Sequence, residues 1–309
     1  MSLVINHNLM AMNAQRNLTE HYDRLGVSTR RLSSGLRVGT AADDAAGLAI
    51  RELMRSEISS LHQGIRNASD AISLIQTADG ALQVVDEKLI RLKELAMQAS
   101  TGTYNSDQRL IIDSEYQAMC SEITRIANAT DFNGIYLLNG NLSGDPVNDH
   151  NGTGLQSTGP LKIHFGTSND SAEDYYYVAI QGASASALGL GHAAAVRANG
   201  ETWELQHAGQ TVSTQGLAQA AMDAINQAII SKDKIRANLG SMQNRLENTI
   251  TNLEIQAENL QAAESRISDV DVAQEMTEFV RNQILTQSAV AMLAQANSLP
   301  RMAMQLIGG

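Results

Sequence analysis

The chain has 309 residues and a formal net charge of −11; it is 43% hydrophobic but only 4% aromatic, with one cysteine and three prolines. The acidic balance argues against nucleic acid and against an anionic membrane surface as partners, and a single thiol excludes an internal disulfide. The apolar content comes from Leu, Ile, Ala and Met, the residues of helix–helix seams, and with prolines at 146, 160 and 300 no proline interrupts residues 1–145 or 161–299.

Residues 1–15 carry no charged side chain. They do not read as a signal peptide, because a basic n-region is missing and Asn6, His7 and Asn8 interrupt the apolar run. Leu18, Leu25 and Leu32 then recur at heptad spacing and predict a first helix, broken at Ser33, Ser34 and Gly35. A second, much longer helix is predicted over about 42–100, roughly 90 Å at 1.5 Å per residue. Met54, Leu61, Ala68, Ile75, Leu82, Leu89 and Ala96 form its first seam row. The second row reads four residues on at Ile58, Ile65 and Ile72, then three residues on at Ala78, Val85, Leu92 and Ala99. Drift of a 3.6-residue helix against a 3.5-residue repeat would produce such a switch. Thr40 with Asp43 looks like a capping pair for its start, and Asp43 and Asp44 sit where the helix dipole favours negative charge.

After a turn at Gly102 to Asn105, a third helix carries Ile112, Tyr116, Met119, Ile123 and Ile126 on one face. The middle of the chain holds more than half of the glycines and reads as short strands and loops. Asn133-Gly134 and Asn139-Gly140 bracket Ile135 to Leu138, a hairpin signal. Leu161, Ile163 and Phe165 alternate with polar residues, as do Tyr175, Tyr177 and Val178 less cleanly; from Gly182 to Thr214 no period is firm.

Leu239, Leu246, Leu253, Leu260 and Ile267 then recur every seven residues, with Ile250 and Ala257 between them, and predict a long helix over about 217–267. Ser268, Asp269 and Asp271 offer a break, and a last helix is predicted to about Leu299. Beyond Arg281 the only charge is Arg301. Gln287, Gln295, Asn297, Pro300 and Arg301 make this tail a poor membrane span despite its length. The fold class is therefore mainly α: a long coiled-coil-like helical rod with paired N- and C-terminal helices and a small β-hairpin region. The two apolar ends come together and need a further partner.

No catalytic arrangement emerges. Asp43 with Asp44, and Asp269 with Asp271, read as helix caps rather than metal ligands, since adjacent carboxylates on a helix point apart. The seven histidines form no H-E-x-x-H pair, and Gly152-x-Gly154 and Gly189-x-Gly191 are in no strand–helix unit that could cradle phosphate. Asn151-Gly-Thr153 is a formal glycosylation sequon, and Ser or Thr residues between 141 and 214 are candidates for O-linked sugars. Cys120 reads as a buried helical residue and Met292, Met302 and Met304 as seam packing. No enzyme activity, cofactor or metal is expected.

Several ordered stretches resemble bacterial flagellin. They are Arg31–Arg37 (Arg-Leu-Ser-Ser-Gly-Leu-Arg) followed by Ala42–Gly47, Arg66–Ile72 running into Gln76–Leu82, and Phe132–Gly134 with Leu137–Gly140. Near the other end stand Leu239-Gly240, Gln243–Leu246, Glu258–Leu260 and Ser265–Ile267. The resemblance covers about 1–140 and 215–309. It implies an inner terminal-helix domain from 1–41 and 270–309, a helical rod domain from 42–180 and 214–269, and a short variable outer segment at 181–213. It implies a structural subunit that polymerises with itself into the extracellular filament used for motility and is exported through the flagellar channel without a cleaved signal. The polymer-interface residues expected are Leu18, Leu25, Leu32, Phe279, Leu285, Val290, Leu293, Met302 and Leu306. Partners implied are the export chaperone and apparatus, the cap and hook-associated proteins, and host Toll-like receptor 5. The receptor contact would be carried by Arg91, Leu95 and Glu115, with Ile90, Lys93 and Met97 standing where the commonest pattern has Gln, Arg and Val. A hook–filament junction adaptor has similar ends and is the alternative reading. A filament-displayed enzyme or adhesin would need a larger insertion than 181–213.

Overall fold

The computed structural model describes residues 8–143, 159–170, 173–190 and 211–307. Among them are five helices, α1 (Leu9–Ser34), α2 (Ala45–Ser100), α3 (Ser106–Ala129), α4 (Gln215–Ser268) and α5 (Val272–Ile307), and four short strands, β1 (Asp131–Phe132), β2 (Ile135–Tyr136), β3 (Leu161–His164) and β4 (Tyr175–Val178). Contacts divide the chain into two compact units: one from residues 1–59 and 257–309, the other from 60–256. The sequon at Asn151, the Gly152-x-Gly154 stretch, residues 191–210 of the variable segment and the Leu306 side chain lie outside what is described.

The predicted breaks occur for identifiable reasons. Gly35 takes φ 72° and closes α1 as a left-handed cap, its N–H donating to the Arg31 carbonyl at 2.8 Å. α2 begins a little later than the sequence suggests. Thr40 and Asp43 form a turn in which the Thr40 N–H and hydroxyl both donate to Asp43 Oδ2, at 3.0 and 2.8 Å. These two bonds hold the Asp43 carboxyl below its usual range, with the Arg30 guanidinium a smaller contributor. The cap itself is Asp44, whose Oδ1 accepts the Gly47 N–H at 2.9 Å. α3 opens on a full capping box between Asn105 and Gln108, and α5 on Asp271, whose Oδ1 accepts from the Ala273 and Gln274 N–H groups. Asp269 accepts instead from the Ser265 hydroxyl at 2.7 Å.

In the unit formed by 60–256, α2 packs with α3 and α4 through two apolar clusters. The first joins Val85, Leu89, Leu92 and Ala96 of α2 to Tyr116 and Ile123 of α3 and Ile225 of α4, among others. The second joins Ala68, Ile75 and Leu82 to Leu137, Leu138, Ile180, Leu239 and Leu246. Met54 is followed by the half-buried Ile58 four residues on, with Glu57 exposed, but from Leu61 onward the α2 seam keeps a three-residue second row. Gly64 and Ala71 are buried three residues on from Leu61 and Ala68, continuing as Ala78, Val85, Leu92 and Ala99, while Ile65 and Ile72 are only half-buried beside it. Isoleucine at the flank and glycine or alanine at the seam conceal this row from a search for large apolar residues.

The small seam residues are there because the hairpins press on this face. A Cβ at Gly64 would run into the backbone carbonyl of Phe165, and Asn67 Nδ2 donates to the His164 carbonyl at 2.8 Å. Asn133 (φ 52°) and Gly134 (φ 79°) are the two central residues of the β1–β2 turn, a type I′ geometry. The strand pair thus straddles Asn133-Gly134 instead of lying between the two Asn-Gly dipeptides, and Leu137 and Leu138 are fully buried core residues after it. β3 pairs antiparallel with β4, Leu161 opposite Val178 and His164 opposite Tyr175. Lys162 Nζ lies 3.7 Å from the Tyr175 ring centre, and the Arg245 guanidinium of α4 lies 4.2 Å from that of Tyr176. Cys120 is buried in the first cluster; burial and the nearby Asp113 carboxylate push its thiol up to about 12, which leaves it an inert apolar residue.

In an open helix Gly→Ala gains about 1 kcal/mol. At Gly64 the backbone clash with Phe165 reverses that sign, and Gly64→Ala is expected to cost about 1–3 kcal/mol through overpacking. Thermal unfolding followed by circular dichroism checks this; a raised melting temperature would contradict the close approach.

Candidate functional site: the paired terminal helices

The unit formed by 1–59 and 257–309 is built on α1 and α5, the first and last helices of the chain, lying antiparallel. Asn8 Nδ2 donates to the Ala296 carbonyl at 2.7 Å at one end, and Arg31 Nη1 stands 3.5 Å from Glu275 Oε2 at the other. Between these ties the less exposed residues of α1 recur three and four apart: Ala11, Ala14, Leu18, His21, Leu25, Ser28 and Leu32. Those of α5 do the same: Glu275, Phe279, Asn282, Thr286, Ala289, Leu293 and Ala296. This is the spacing of a two-helix seam. Asn282 is buried within it, 5% exposed, as is Ser28 near the Arg31 end at 4%.

The breaks beside this pair are zipped to each other. Leu36 and Asp269 form an antiparallel bridge, with Arg37 N–H donating to the Ser268 carbonyl (2.7 Å) and Val270 N–H to the Gly35 carbonyl (3.0 Å). The Arg37 guanidinium reaches the Ile267 carbonyl at 2.5 Å, and the buried Arg51 guanidinium reaches the Val38 carbonyl at 2.7 Å. Each arginine satisfies a carbonyl that a helix end or an irregular strap leaves open.

α5 does not stop at Leu299 as its proline suggests; it continues to Ile307. Pro300 has no N–H to give to the carbonyl four residues back, which is that of Ala296. That carbonyl is the one that accepts from Asn8. The same Asn8 caps α1 through its Oδ1, which accepts the Ala11 N–H at 3.1 Å. One carboxamide therefore covers the proline gap in one helix and the open end of the other.

Of the predicted interface residues, Leu18, Leu25, Leu32, Phe279, Leu285 and Leu293 are half-buried within the α1–α5 unit of a single chain, whereas Val290 and Met302 are about half exposed, at 52% and 46%. Met292, read from the sequence as seam packing, and Ile284 also lie on the outer surface, with Leu9, Met12, Met276 and Val280, which pattern reading passed over; each is between 44% and 63% exposed. They interrupt no heptad row, so only exposure in the fold identifies them. α5 consequently carries large apolar residues outside its seam as well as in it. A groove of about 500 Å³ also opens between the pair, lined by Met10, Ala14, His21, Leu285, Ala289 and Met292 among others. His21 Nδ1 is buried without a hydrogen-bond partner among the described residues.

The remaining predicted site falls in the other unit. Arg91 donates to Glu115 Oε1 through Nε (3.0 Å) and Nη2 (2.7 Å) and to Glu94 Oε2 through Nη1 (2.9 Å), and all three are exposed. Leu95 belongs to the core at 1% exposure, so it supports this surface from beneath and cannot itself be touched from outside. Ile90 and Met97 lie exposed beside it, at 50% and 57%.

Two family profiles match: the bacterial flagellin N-terminal helical region over residues 5–143 and the bacterial flagellin C-terminal helical region over residues 222–307. The chain is 40% identical over 305 residues to the flagellin of Halalkalibacterium halodurans, covering 99% of this chain and all of that one. It is 41% identical to the flagellin of Bacillus subtilis, covering 98% of this chain and 99% of that one. To flagellin FlaB1 of Treponema pallidum it is 40% identical over 296 residues, covering 96% of both chains.

Asn8→Ala removes a helix cap and leaves the Ala296 carbonyl without a donor, an expected loss of about 1–3 kcal/mol in the α1–α5 pair. Amide hydrogen exchange should quicken in the first turns of α1 and in the part of α5 around Ala296. Unchanged protection at both places would show that the bond contributes nothing.

Proposed function

This chain belongs to the bacterial flagellin family and is a structural subunit of the flagellar filament, and we propose that the outward apolar side of α5, with α1 beside it, is the surface through which one copy joins the next. The observation that carries the reading is that α5 exposes Met276, Val280, Ile284, Val290 and Met292 outside the seam that α1 covers. An exposed set of large apolar residues on one element marks an association surface. Burying an Ile, Val or Met side chain is worth about 1.5–3 kcal/mol, so covering Val280, Ile284, Val290 and Met292 supplies a driving force of the size an association needs. Leu18, Leu25, Leu32, Phe279, Leu285 and Leu293 then act indirectly, by holding the two helices together so that the outer side is presented. Repetition of a contact that does not close on itself yields an open polymer.

In this reading residues 1–41 and 270–309 form the innermost layer of the filament, 42–180 and 214–269 the layer outside it, and 181–213 the outermost. Export proceeds through the filament channel, with α1 and α5 unfolded in transit. Ordering them costs about 1–2 kcal/mol per residue, and neither alone buries enough surface to offset that. The export chaperone, the cap and the hook-associated proteins are partners that would bind the same apolar termini. Arg91 and Glu115, with Leu95 packed beneath, are proposed as the contact for host Toll-like receptor 5.

Purified monomer added to sonicated filament seeds should grow long uniform tubes in negative-stain electron microscopy, and a chain lacking residues 290–309 should remain soluble and add to no seed. Tubes grown from the truncated chain would refute the role given to α5; seeds merely capped by the intact chain would favour a junction adaptor. For the receptor contact, Arg91→Ala should lower activation of a receptor-bearing reporter cell severalfold when given as monomer, and undiminished activation would discard that assignment.

A further inference from the structure

The seam between α2 and α4 contains one ionised residue in a row otherwise apolar. Ala218, Ile225, Lys232, Leu239, Leu246 and Leu253 recur every seven residues along α4, and each is buried; Lys232 is 2% exposed. Its Nζ stands 2.5 Å from Asp86 Oδ1 of α2 and 2.7 Å from the neighbouring Asp233. One turn further on, the Arg236 guanidinium holds the Asp79 carboxylate by two hydrogen bonds, at 2.7 and 3.2 Å. Asp79 and Asp86 are seven apart on the flank of α2, in a row that reads Ile58, Ile65, Ile72, Asp79, Asp86, Lys93. The ion pairs stand between the two apolar clusters, with Val85 and Ala228 in one and Leu82 and Ile235 in the other.

We propose that Lys232 specifies the register of α4 against α2, with Asp86 and Asp79 as its reading partners. The apolar rows by themselves do not distinguish the native pairing from one shifted by a heptad, because leucine, isoleucine and alanine recur on both sides. The charges do. A shift one way carries Lys232 from Asp86 to Lys93, burying like charges together. A shift the other way carries Lys232 to Asp79 but leaves Arg236 opposite Ile72. The first slip sets Lys232, 2% exposed, against a like charge with only Asp233 of its own helix to answer it, and the second leaves the half-buried Arg236 without Asp79; a charge inside a seam that loses its partner across the seam is costly. A single lysine at a seam position of a coiled coil specifies register at a cost in stability, and an apolar replacement of a buried ion pair is often neutral or stabilising. A seam that keeps such a lysine is therefore selecting one alignment rather than maximising stability. For a subunit whose surfaces must match those of every other copy, one heptad of slip, about 10 Å along the helix, would displace one helix's contacts from the other's.

The test uses the full chain with Cys120→Ala and spin labels at Glu87→Cys and Ala237→Cys, both exposed positions on α2 and α4. Pulsed electron resonance should give one distance in this background. Lys232→Met should retain the helical circular dichroism and add a second distance, displaced as a one-heptad slip requires. Asp86→Asn, which removes only the partner charge, should add the same second peak in smaller proportion, and it decides the matter if Lys232→Met does not fold. A single unshifted distance in every variant that folds would overturn the proposal and leave the ion pairs as surface-edge contacts without a role in alignment.

Discussion

The structure depends on a pairing between the two ends of the chain. α1 and α5 come from opposite ends of the sequence, and most helical stability in proteins comes from packing an apolar face. Their antiparallel contact, tied at Asn8–Ala296 and Arg31–Glu275, gives each helix one covered side. Because α5 has apolar residues on its other side as well, the pair is complete as a fold and incomplete as a surface. A filament subunit requires both conditions: the pair must form, and it must leave something to be covered by the next copy.

Polar groups at the seams carry specificity that apolar packing cannot supply. Asn8 answers the donor that Pro300 lacks, so a residue that ordinarily ends a helix is accommodated in one that runs on to Ile307. Arg37 and Arg51 close the carbonyls of the strap next to the pair. In the other unit Lys232 stands in a row of leucines and alanines and finds two carboxylates. Arg51 and Lys232 are buried, costly to place there and cheap only in one arrangement, which favours a single alignment over several of similar apolar content. Glycine and alanine serve the same end by subtraction: at Gly64 the missing side chain admits the backbone of Phe165.

Exposed ion pairs play a lesser part. Arg91 with Glu94 and Glu115, and Arg125 with Glu122, lie on the surface, where pairs of this kind contribute little to stability. Arg91 forks between α2 and α3, and its value lies in holding a defined charged surface over the Leu95 core rather than in adding strength.

Heptad recurrence, the breaks at Gly35 and after Ser268, the turn at Gly102 to Asn105 and the Asn133-Gly134 hairpin signal were all readable from the chain, because each rests on local geometry that a few neighbouring residues dictate. The ordered motifs at both ends carried the family as well. Which rows face inward was less legible. Ile65 and Ile72 mark a seam by their apolar spacing, yet Gly64 and Ala71 occupy it, since the choice depends on how closely another backbone approaches. The α4 row seemed to begin at Leu239 because Lys232 interrupted it, and only a carboxylate on another helix makes that lysine a core residue. Likewise Leu18 and Phe279 could be identified as apolar and periodic, but whether they face a partner within the chain or in another copy was decided by the α1–α5 pairing. The sequence by itself determined which segments are helical and with what repeat; the tertiary structure decided how far α5 runs past Pro300 and which sides are already satisfied, because both depend on what lies across from a residue and not on the residue alone.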